Sequence, residues 1–286
     1  MYKGYTVTVV TPCFNEEVGI AQTLADMPEL VDEIVVVDNN CTDRTAEVAR
    51  RMGARVVRET TQGYGAAYKR GFLAATGDVI VTMDGDGTYP RSFIPVLLEV
   101  MIEEGIDFIT CDRTGHKSRG SGTPVRVFGN WVLGTVQALL FGQRIKDSQS
   151  GMWVFRRDIL PSLKLTSDGM SLSEEIKIEA FGLAAQRSGF TARELPIYYR
   201  ARVGESKLRL WHDGLANLTF LFRKRWMSWG LARWLRKVRT QGPKTDRVIV
   251  PDPGPSDPDA VAPLAGTSED VSDAASLANP AELGRT

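Results

Sequence analysis

The feature that most constrains this chain is a rhythm of short β-branched runs with amphipathic segments between them. The runs are "TVTVV" (6–10), "DEIVVVD" (32–38), "ARVVRE" (54–59), "DVIVTMD" (78–84) and "DFITCD" (107–112). Strands this uniformly apolar need cover on both faces, and strands separated by helix-length segments pair in parallel. The expected fold class is α/β, with a mostly parallel central sheet and helices on both faces. Ligands of such sheets bind at the carboxyl ends of the strands. The loops there read "TPCFNEE", "DNNCTD", "DGDGTYP" and "DRTGHKSRG". None is G-x-G-x-x-G or G-x-x-x-x-G-K-[ST], which excludes a Rossmann dinucleotide site and a P-loop. Gly63 and Gly65 offer either a phosphate loop or a tight helix start.

The 286 residues, 43% of them hydrophobic, allow a full core. From about Gln241 the composition shifts to Pro, Asp, Ala and Ser without an aromatic residue, so 241–286 reads as a disordered acidic tail. That tail carries three basic residues against eight acids; the chain is neutral overall, so residues 1–240 are five charges positive. Such a body suits anionic ligands, with no nucleic acid among the expected partners. Cys13, Cys41 and Cys111 form no C-x-x-C pair and imply neither a disulfide framework nor a zinc site. They suit a reducing cytoplasm, and "MYKGYTVTVVTP" enters a strand without a secretory leader. Val127–Gln143 is uncharged over 17 residues, marginal for a membrane span and better read as a buried or interfacial helix.

The two carboxylates of "DGDGTYP", Asp84 and Asp86, stand one residue apart in a glycine-rich turn. Paired carboxylates repel unless a hard cation lies between them and a ligand. A helix-loop-helix calcium site is excluded by counting from Asp84: the sixth position is Tyr89 rather than Gly and the twelfth Pro95 rather than Glu. A solvated turn is the other reading. His116 and His212, the only histidines, have no partner at ligand spacing and read as surface residues; Cys13 reads as strand-end packing.

The segments "VTPCFNEE", "VVDNNCTDRT", "GYGAAYKRG", "DGDGTYP", "DSQSGMWVFRRD" and "YYRARVGESKL" together resemble the family 2 inverting glycosyltransferases of GT-A fold. The likeness runs from about residue 5 to 210 and is greatest to dolichyl- or polyprenyl-phosphate mannose or glucose synthases. It implies a nucleotide-sugar donor, GDP-mannose or UDP-glucose. Pro12, Asn15 and Glu16 would lie near the base, Asp38 would hold base or ribose, and Asn40, Lys69 and Gly85 would complete the donor side. The alternative is that Asp38 and Asn40 cap a helix beginning near Asp43 or Arg44. Mg²⁺ or Mn²⁺ would bridge Asp84 and Asp86 to the diphosphate and take up charge as the nucleotide leaves.

The resemblance also implies a polyprenyl-phosphate acceptor. A phosphate monoester, with its second pKa about 6, is largely ionised at neutral pH and needs cations more than a general base. Arg113 and Arg126 match arginines that grip the lipid phosphate, and Arg202, Ser206 and Lys207 a loop over the diphosphate or the acceptor. Asn130 stands where relatives often carry Ser. Asp147 matches an acidic position at the acceptor side, as base or sugar-orienting group, and reads otherwise as a turn or N-cap aspartate. Glu174 and Glu175 begin a helix, and Glu175 aligns with a family acid.

Residues 215–239, "LANLTFLFRKRWMSWGLARWLRKVR", combine an apolar run, three tryptophans and seven Lys/Arg without an acid. That composition suits a helix in the headgroup region of a membrane; a core-packing helix with a basic solvated side is the alternative. The expected division is a GT-A domain over 1–212, basic amphipathic helices over 213–240 and the tail over 241–286, with attachment peripheral at the cytoplasmic face of the membrane.

Overall fold

The computed structural model describes residues 1–117, 124–202 and 210–228. The strands are β1 (Val7–Cys13), β2 (Glu33–Asp38), β3 (Arg55–Arg58), β4 (Val79–Thr82), β5 (Phe108–Lys117), β6 (Trp153–Arg156) and β7 (Ala192–Tyr199). The helices are α1 (Glu17–Leu24), α2 (Thr45–Arg51), α3 (Tyr64–Ala74), α4 (Phe93–Glu103), α5 (Pro124–Phe141), α6 (Leu172–Gln186) and α7 (Leu210–Ser228). The seven strands form one sheet in the order β3-β2-β1-β4-β6-β5-β7. All run the same way except β6, which is antiparallel to both β4 and β5. The α/β architecture expected from the sequence is present, as are the five expected strands; β6 and β7 are additional.

Both faces of the sheet are covered, which is why its strands read as unbroken apolar runs. Val7, Val9, Val79 and Val81 pack on one side with Ile94, Leu97 and Leu98 of α4. Val10, Val35 and Val37 pack on the other with Tyr68 and Phe72 of α3 and Ile176 of α6. β6 is an interior strand between β4 and β5, with Trp153, Val154 and Phe155 wholly buried. Three apolar residues and an arginine cannot be assigned to strand or helix by periodicity, which hides β6 from a sequence reading. β7 contains Pro196, tolerated because β7 is at the edge of the sheet.

The uncharged segment Val127–Gln143 falls, but for its last two residues, in α5, which packs with α7 and α6 through Leu133, Phe141, Leu221 and Ile178. Among the described residues no helix is long and apolar enough to cross a membrane. Residues 229–240 and the tail lie outside the described residues.

Candidate active site

Chain connections leave β1 in opposite directions, toward β2 and toward β4. The loops after these three strands therefore meet in one crevice, the ligand position of an open α/β sheet. Asp84 stands two residues past the end of β4. A Cβ on Gly85 would lie 2.6 Å from Cys13 Sγ, and one on Gly19 of α1 would lie 2.6 Å from Gly85 O. Gly87 adopts φ 75°. The glycines let the turn sink between β1 and α1, bringing two carboxylates to one place on the sheet edge.

Asp84 Oδ1 accepts hydrogen bonds from the hydroxyls of Tyr64 and Tyr68, each at 3.2 Å. These tyrosines are four residues apart on α3 and share a face. Burial pushes both phenols well above their usual pKa, so they stay protonated and donate. Asp86 Oδ1 accepts Thr88 N at 3.1 Å and Thr88 Oγ1 at 2.6 Å. Asp86 Oδ2 accepts Arg202 Nη1 at 2.7 Å, and Arg202 Nη2 donates to Glu16 Oε1. Burial and the neighbouring Asp86 charge push Asp84 up to about 7, opposed by the Arg113 guanidinium. The chain fixes Oδ1 of each carboxylate; Oδ2 of Asp84 is left for a cation, while Oδ2 of Asp86 is held by Arg202. Among the described residues no cluster of three His, Cys, Asp or Glu side chains gathers to hold a metal. Two hard oxygen ligands fit Mg²⁺ or Mn²⁺ bound together with phosphate oxygens and water, rather than an all-protein cage.

The second half of the site is an ion pair. Asp147 is 1% exposed, and Arg113 donates to it three times: Nε to Oδ2 at 2.6 Å, Nη2 to Oδ1 at 2.9 Å and backbone N to Oδ2 at 3.0 Å. Asn130 Nδ2 adds a bond to Oδ1 at 3.1 Å. Burial alone would raise Asp147, but the Arg113 charge and its bonds hold the carboxyl well below the usual range. The Arg113 guanidinium lies over the Tyr199 ring, 5.0 Å from its centroid. With both oxygens engaged and no solvent access, Asp147 is placed to hold Arg113 rather than to abstract a proton. Asn130, which also accepts Ser148 Oγ at 3.0 Å, fastens the same loop.

Beneath that loop, Glu194 accepts the backbone N–H of Lys146 and of Asp147, each at 2.9 Å. Lys177 Nζ donates to the carbonyls of Asp147 and Ser148, each at 2.8 Å. Burial lowers Lys177 to about 8 and raises Glu194 to about 7. Gln149 Nε2 donates to Glu174 Oε1 at 2.7 Å, and Asn217 Nδ2 of α7 donates to Gln149 Oε1 at 2.9 Å. Burial raises Glu174 to about 8. Glu175 is wholly buried and accepts Thr166 N, Thr166 Oγ1, Ser167 N and Lys224 Nζ, all at 2.8 Å, so it fastens the loop before α6.

On the donor side, Pro12 pairs in register with Val37 at the end of β1. Asn15, at φ 54°, accepts Thr42 N at 2.7 Å. Asp38 Oδ1 accepts Cys41 N, three residues on, at 2.8 Å, which closes the turn at the end of β2. Asn40 donates to Thr60 O at 2.9 Å, and Lys69 pairs with Asp168 at 2.7 Å. The phosphate-loop reading of Gly63 and Gly65 is corrected: Gly65 N and Ala66 N donate to Asp168 O at 2.8 and 3.1 Å, so the α3 terminus is closed by the chain itself. Sequence reasoning overlooked Asn39, whose side chain bonds Glu59 O, Thr61 O and Gly63 N across two loops. It also overlooked Tyr64, Tyr68 and Tyr89, the last accepting Gly151 N at 2.6 Å. The i, i+4 spacing in "GYGAAYKRG" was the available signal for the first two. Arg126 lies on α5 with its side chain outside the description, and Ser206 and Lys207 fall outside the described residues.

Beside the site, α5 and α7 present large apolar side chains to solvent. Phe128, Trp131, Leu139, Leu215 and Trp226 are 63%, 63%, 67%, 62% and 90% exposed. Lys224 is the exception among the basic residues of α7: it is buried between Glu175 and Glu179, 2.8 Å from each, so it fixes the helix and faces no membrane.

A GT-A sheet with a carboxylate pair at its carboxyl edge and guanidinium groups beside it is the architecture of a glycosyltransferase, and comparison with known proteins agrees. The model of glycosyl transferase family 2 matches residues 8–163; the chain belongs to this family. A dolichyl-phosphate hexose transferase of Haloferax volcanii is 37% identical over 220 residues, 75% of this chain and 92% of the relative. An uncharacterised glycosyltransferase of Mycobacterium tuberculosis is 44% identical over 208 residues, 70% of this chain and 88% of the relative. The crystal structure of glucosyl-3-phosphoglycerate synthase from Mycobacterium tuberculosis, in complex with Mn²⁺, UDP and glucosyl-3-phosphoglycerate, superposes with a TM-score of 0.62 at 25% identity. It covers 78% of this chain and 80% of that one.

Proposed function

We propose that this glycosyltransferase moves a hexose, glucose or mannose, from UDP- or GDP-sugar to a polyprenyl phosphate, with inversion and with a divalent metal. The observation that carries the reading is one crevice holding two opposite poles. Asp84 and Asp86 suit Mg²⁺ or Mn²⁺ on a nucleoside diphosphate, while Arg113, oriented by buried Asp147, suits a second anion. Arg126, Arg202, Ser206 and Lys207 would add to the phosphate-binding side. When bound, the metal supplies charge neutralisation for the departing nucleotide. Asp84 and Asp86 would hold it, kept in place by the close packing around Gly85. Pro12, Asn15, Glu16, Asp38, Asn40 and Lys69 would line the donor side, next to base and ribose. Arg113 offers its guanidinium to the acceptor phosphate, and no side chain needs to take a proton from an acceptor already ionised.

The lipid character of the acceptor draws support from the Haloferax volcanii relative, named for dolichyl phosphate, and from the exposed apolar side chains of α5 and α7. Followed by the basic residues of 229–239, that surface suits peripheral attachment to an anionic membrane at its cytoplasmic face. A soluble phosphorylated acceptor is the alternative, because the matched crystal structure is that of a 3-phosphoglycerate glucosylating enzyme. The test is turnover of UDP-glucose and GDP-mannose with Mn²⁺, offering polyprenyl phosphate in anionic vesicles or 3-phosphoglycerate in solution. Transfer to the lipid with retention on vesicles is expected. Transfer only to the soluble acceptor, or to neither, refutes the reading.

A further inference from the structure

Arg202 does more than border the site. Its Nη1 lies 2.7 Å from Asp86 Oδ2 and its Nη2 bonds Glu16 Oε1, so one guanidinium bridges the loops after β4 and β1 from the chain beyond β7. Asp86 Oδ1 is committed to Thr88, at 3.1 Å from its N and 2.6 Å from its Oγ1. The only Asp86 oxygen open to an incoming cation is therefore the one Arg202 holds. A metal ion and a guanidinium cannot both take the same lone-pair direction of Oδ2 at bonding distance. Arg202 is also poised to leave: its side chain is 29% exposed against 5% for Asp86, and its Nε has no partner of its own.

We propose that Arg202 is a positioning residue that competes with the metal for Asp86, so that cation binding at this turn is an exchange driven by the donor. The proposal rests on the metal-dependent reading above. Free metal must displace a charge-assisted bond and strand a guanidinium beside a second cation, which disfavours it. A metal ion arriving with a nucleoside diphosphate brings the anion that the released Arg202 then pairs with, bidentately, as its bond to Glu16 opens. Metal and nucleotide binding become cooperative through Arg202, and an isolated metal ion is held weakly. No covalent step is involved; two ion pairs, Arg202–Asp86 and Arg202–Glu16, are traded for Arg202–diphosphate.

The test is Mn²⁺ binding to the full chain, read by the electron paramagnetic resonance of free Mn²⁺, with and without UDP, for wild type, Arg202→Gln, Arg202→Lys and Arg200→Gln. In wild type, UDP should tighten Mn²⁺ strongly. In Arg202→Gln, the nucleotide-free Mn²⁺ affinity should rise about tenfold, the equivalent of one lost charge-assisted bond, and the gain from UDP should shrink. Arg202→Lys, which keeps the charge but cannot bridge both carboxylates, should fall between. Arg200→Gln controls for loss of positive charge alone, since Arg200 lies over the Tyr198 ring, 5.9 Å from its centroid. A nucleotide-free affinity in Arg202→Gln equal to or weaker than wild type overturns the competition, as does an equal gain in Arg200→Gln. If wild type binds no Mn²⁺ even with UDP, the metal-dependent reading itself fails, a separate outcome.

Discussion

Asp147→Asn separates two chemistries for the same position. If Asp147 were a general base, the amide would remove 10²- to 10⁴-fold from kcat and abolish the acid limb of the pH–rate profile, with little effect on stability. The geometry predicts otherwise. Removing one partner of a buried ion pair costs roughly 3–5 kcal/mol. Two features place this case at the lower end: the amide oxygen can still accept one of the Arg113 bonds, and the Arg113 side chain keeps 19% exposure to water. About 3 kcal/mol is expected, some 6–12 °C in Tm for a domain of this size. In turnover, the loss should fall mainly on KM for the phosphate acceptor, about ten- to a hundredfold, the worth of one charge-assisted bond held out of place. The acid limb should survive.

The assay is a double-mutant cycle with Arg113→Met, measuring urea unfolding and steady-state kinetics on all four proteins. The double variant should be about 2 kcal/mol more stable than the sum of the single losses, since removing both charges strands neither. Additive stability losses, or a kcat collapse with unchanged stability and a missing acid limb, refute the holding role.

Two further outcomes follow from the same structure. Glu174, raised to about 8 by burial, keeps its proton when folded while the unfolded chain releases it above about pH 4.3, so its contribution to stability falls as pH rises between those values. Glu174→Gln has no proton to release, so its unfolding free energy relative to wild type should climb by up to about 1.4 kcal/mol per pH unit from pH 5 to 8 and then level; a flat difference in urea unfolding at pH 5.5, 6.5 and 7.5 contradicts it. Gly85→Ala forces a methyl to 2.6 Å from Cys13 Sγ and should cost about 1–3 kcal/mol in thermal unfolding; Cys13→Ala in the same chain should recover most of it, because the other neighbours stand at 3.4 and 3.5 Å.

The half of the fold that repeats a simple unit was legible, and the half that breaks it was not. Through β4 the chain alternates strand and helix, each strand β-branched and apolar because both faces are buried, and the runs in the sequence fall on the strands of the structure within a few residues. After β5 the chain returns through α5 to insert β6 antiparallel between β4 and β5. No local pattern announces a strand that pairs with neighbours some 45 and 75 residues away, and its four residues lie inside a polar segment. β7 carries a buried Glu194 and a proline, both signals against a strand. They are tolerated because Glu194 has two backbone N–H partners and Pro196 lies on an edge strand.

The site divides in the same way. Asp84 and Asp86 could be read from sequence because their spacing, glycines and position after an apolar run are all local. Asp147 and Arg113 each stood out singly, yet their pairing across 34 residues was not readable, and the pairing changes the chemistry. A lone acid suggests a base, whereas an acid bound three times by one arginine and again by Asn130 is an acceptor with nothing left to accept. Cys41, Gln149 and Asn217 illustrate the remainder: ordinary residues in sequence, they acquire meaning only where the loops after β1 and β2 meet, at Asn15 and Cys41, and where the loop before β6 meets α6 and α7, at Gln149. Local spacing encodes where charge is concentrated; which charges cancel is decided by the sheet order. A mechanism for this family member therefore depends on the cancelled pair Arg113–Asp147 and the competing pair Arg202–Asp86 as much as on the carboxylates that first drew notice.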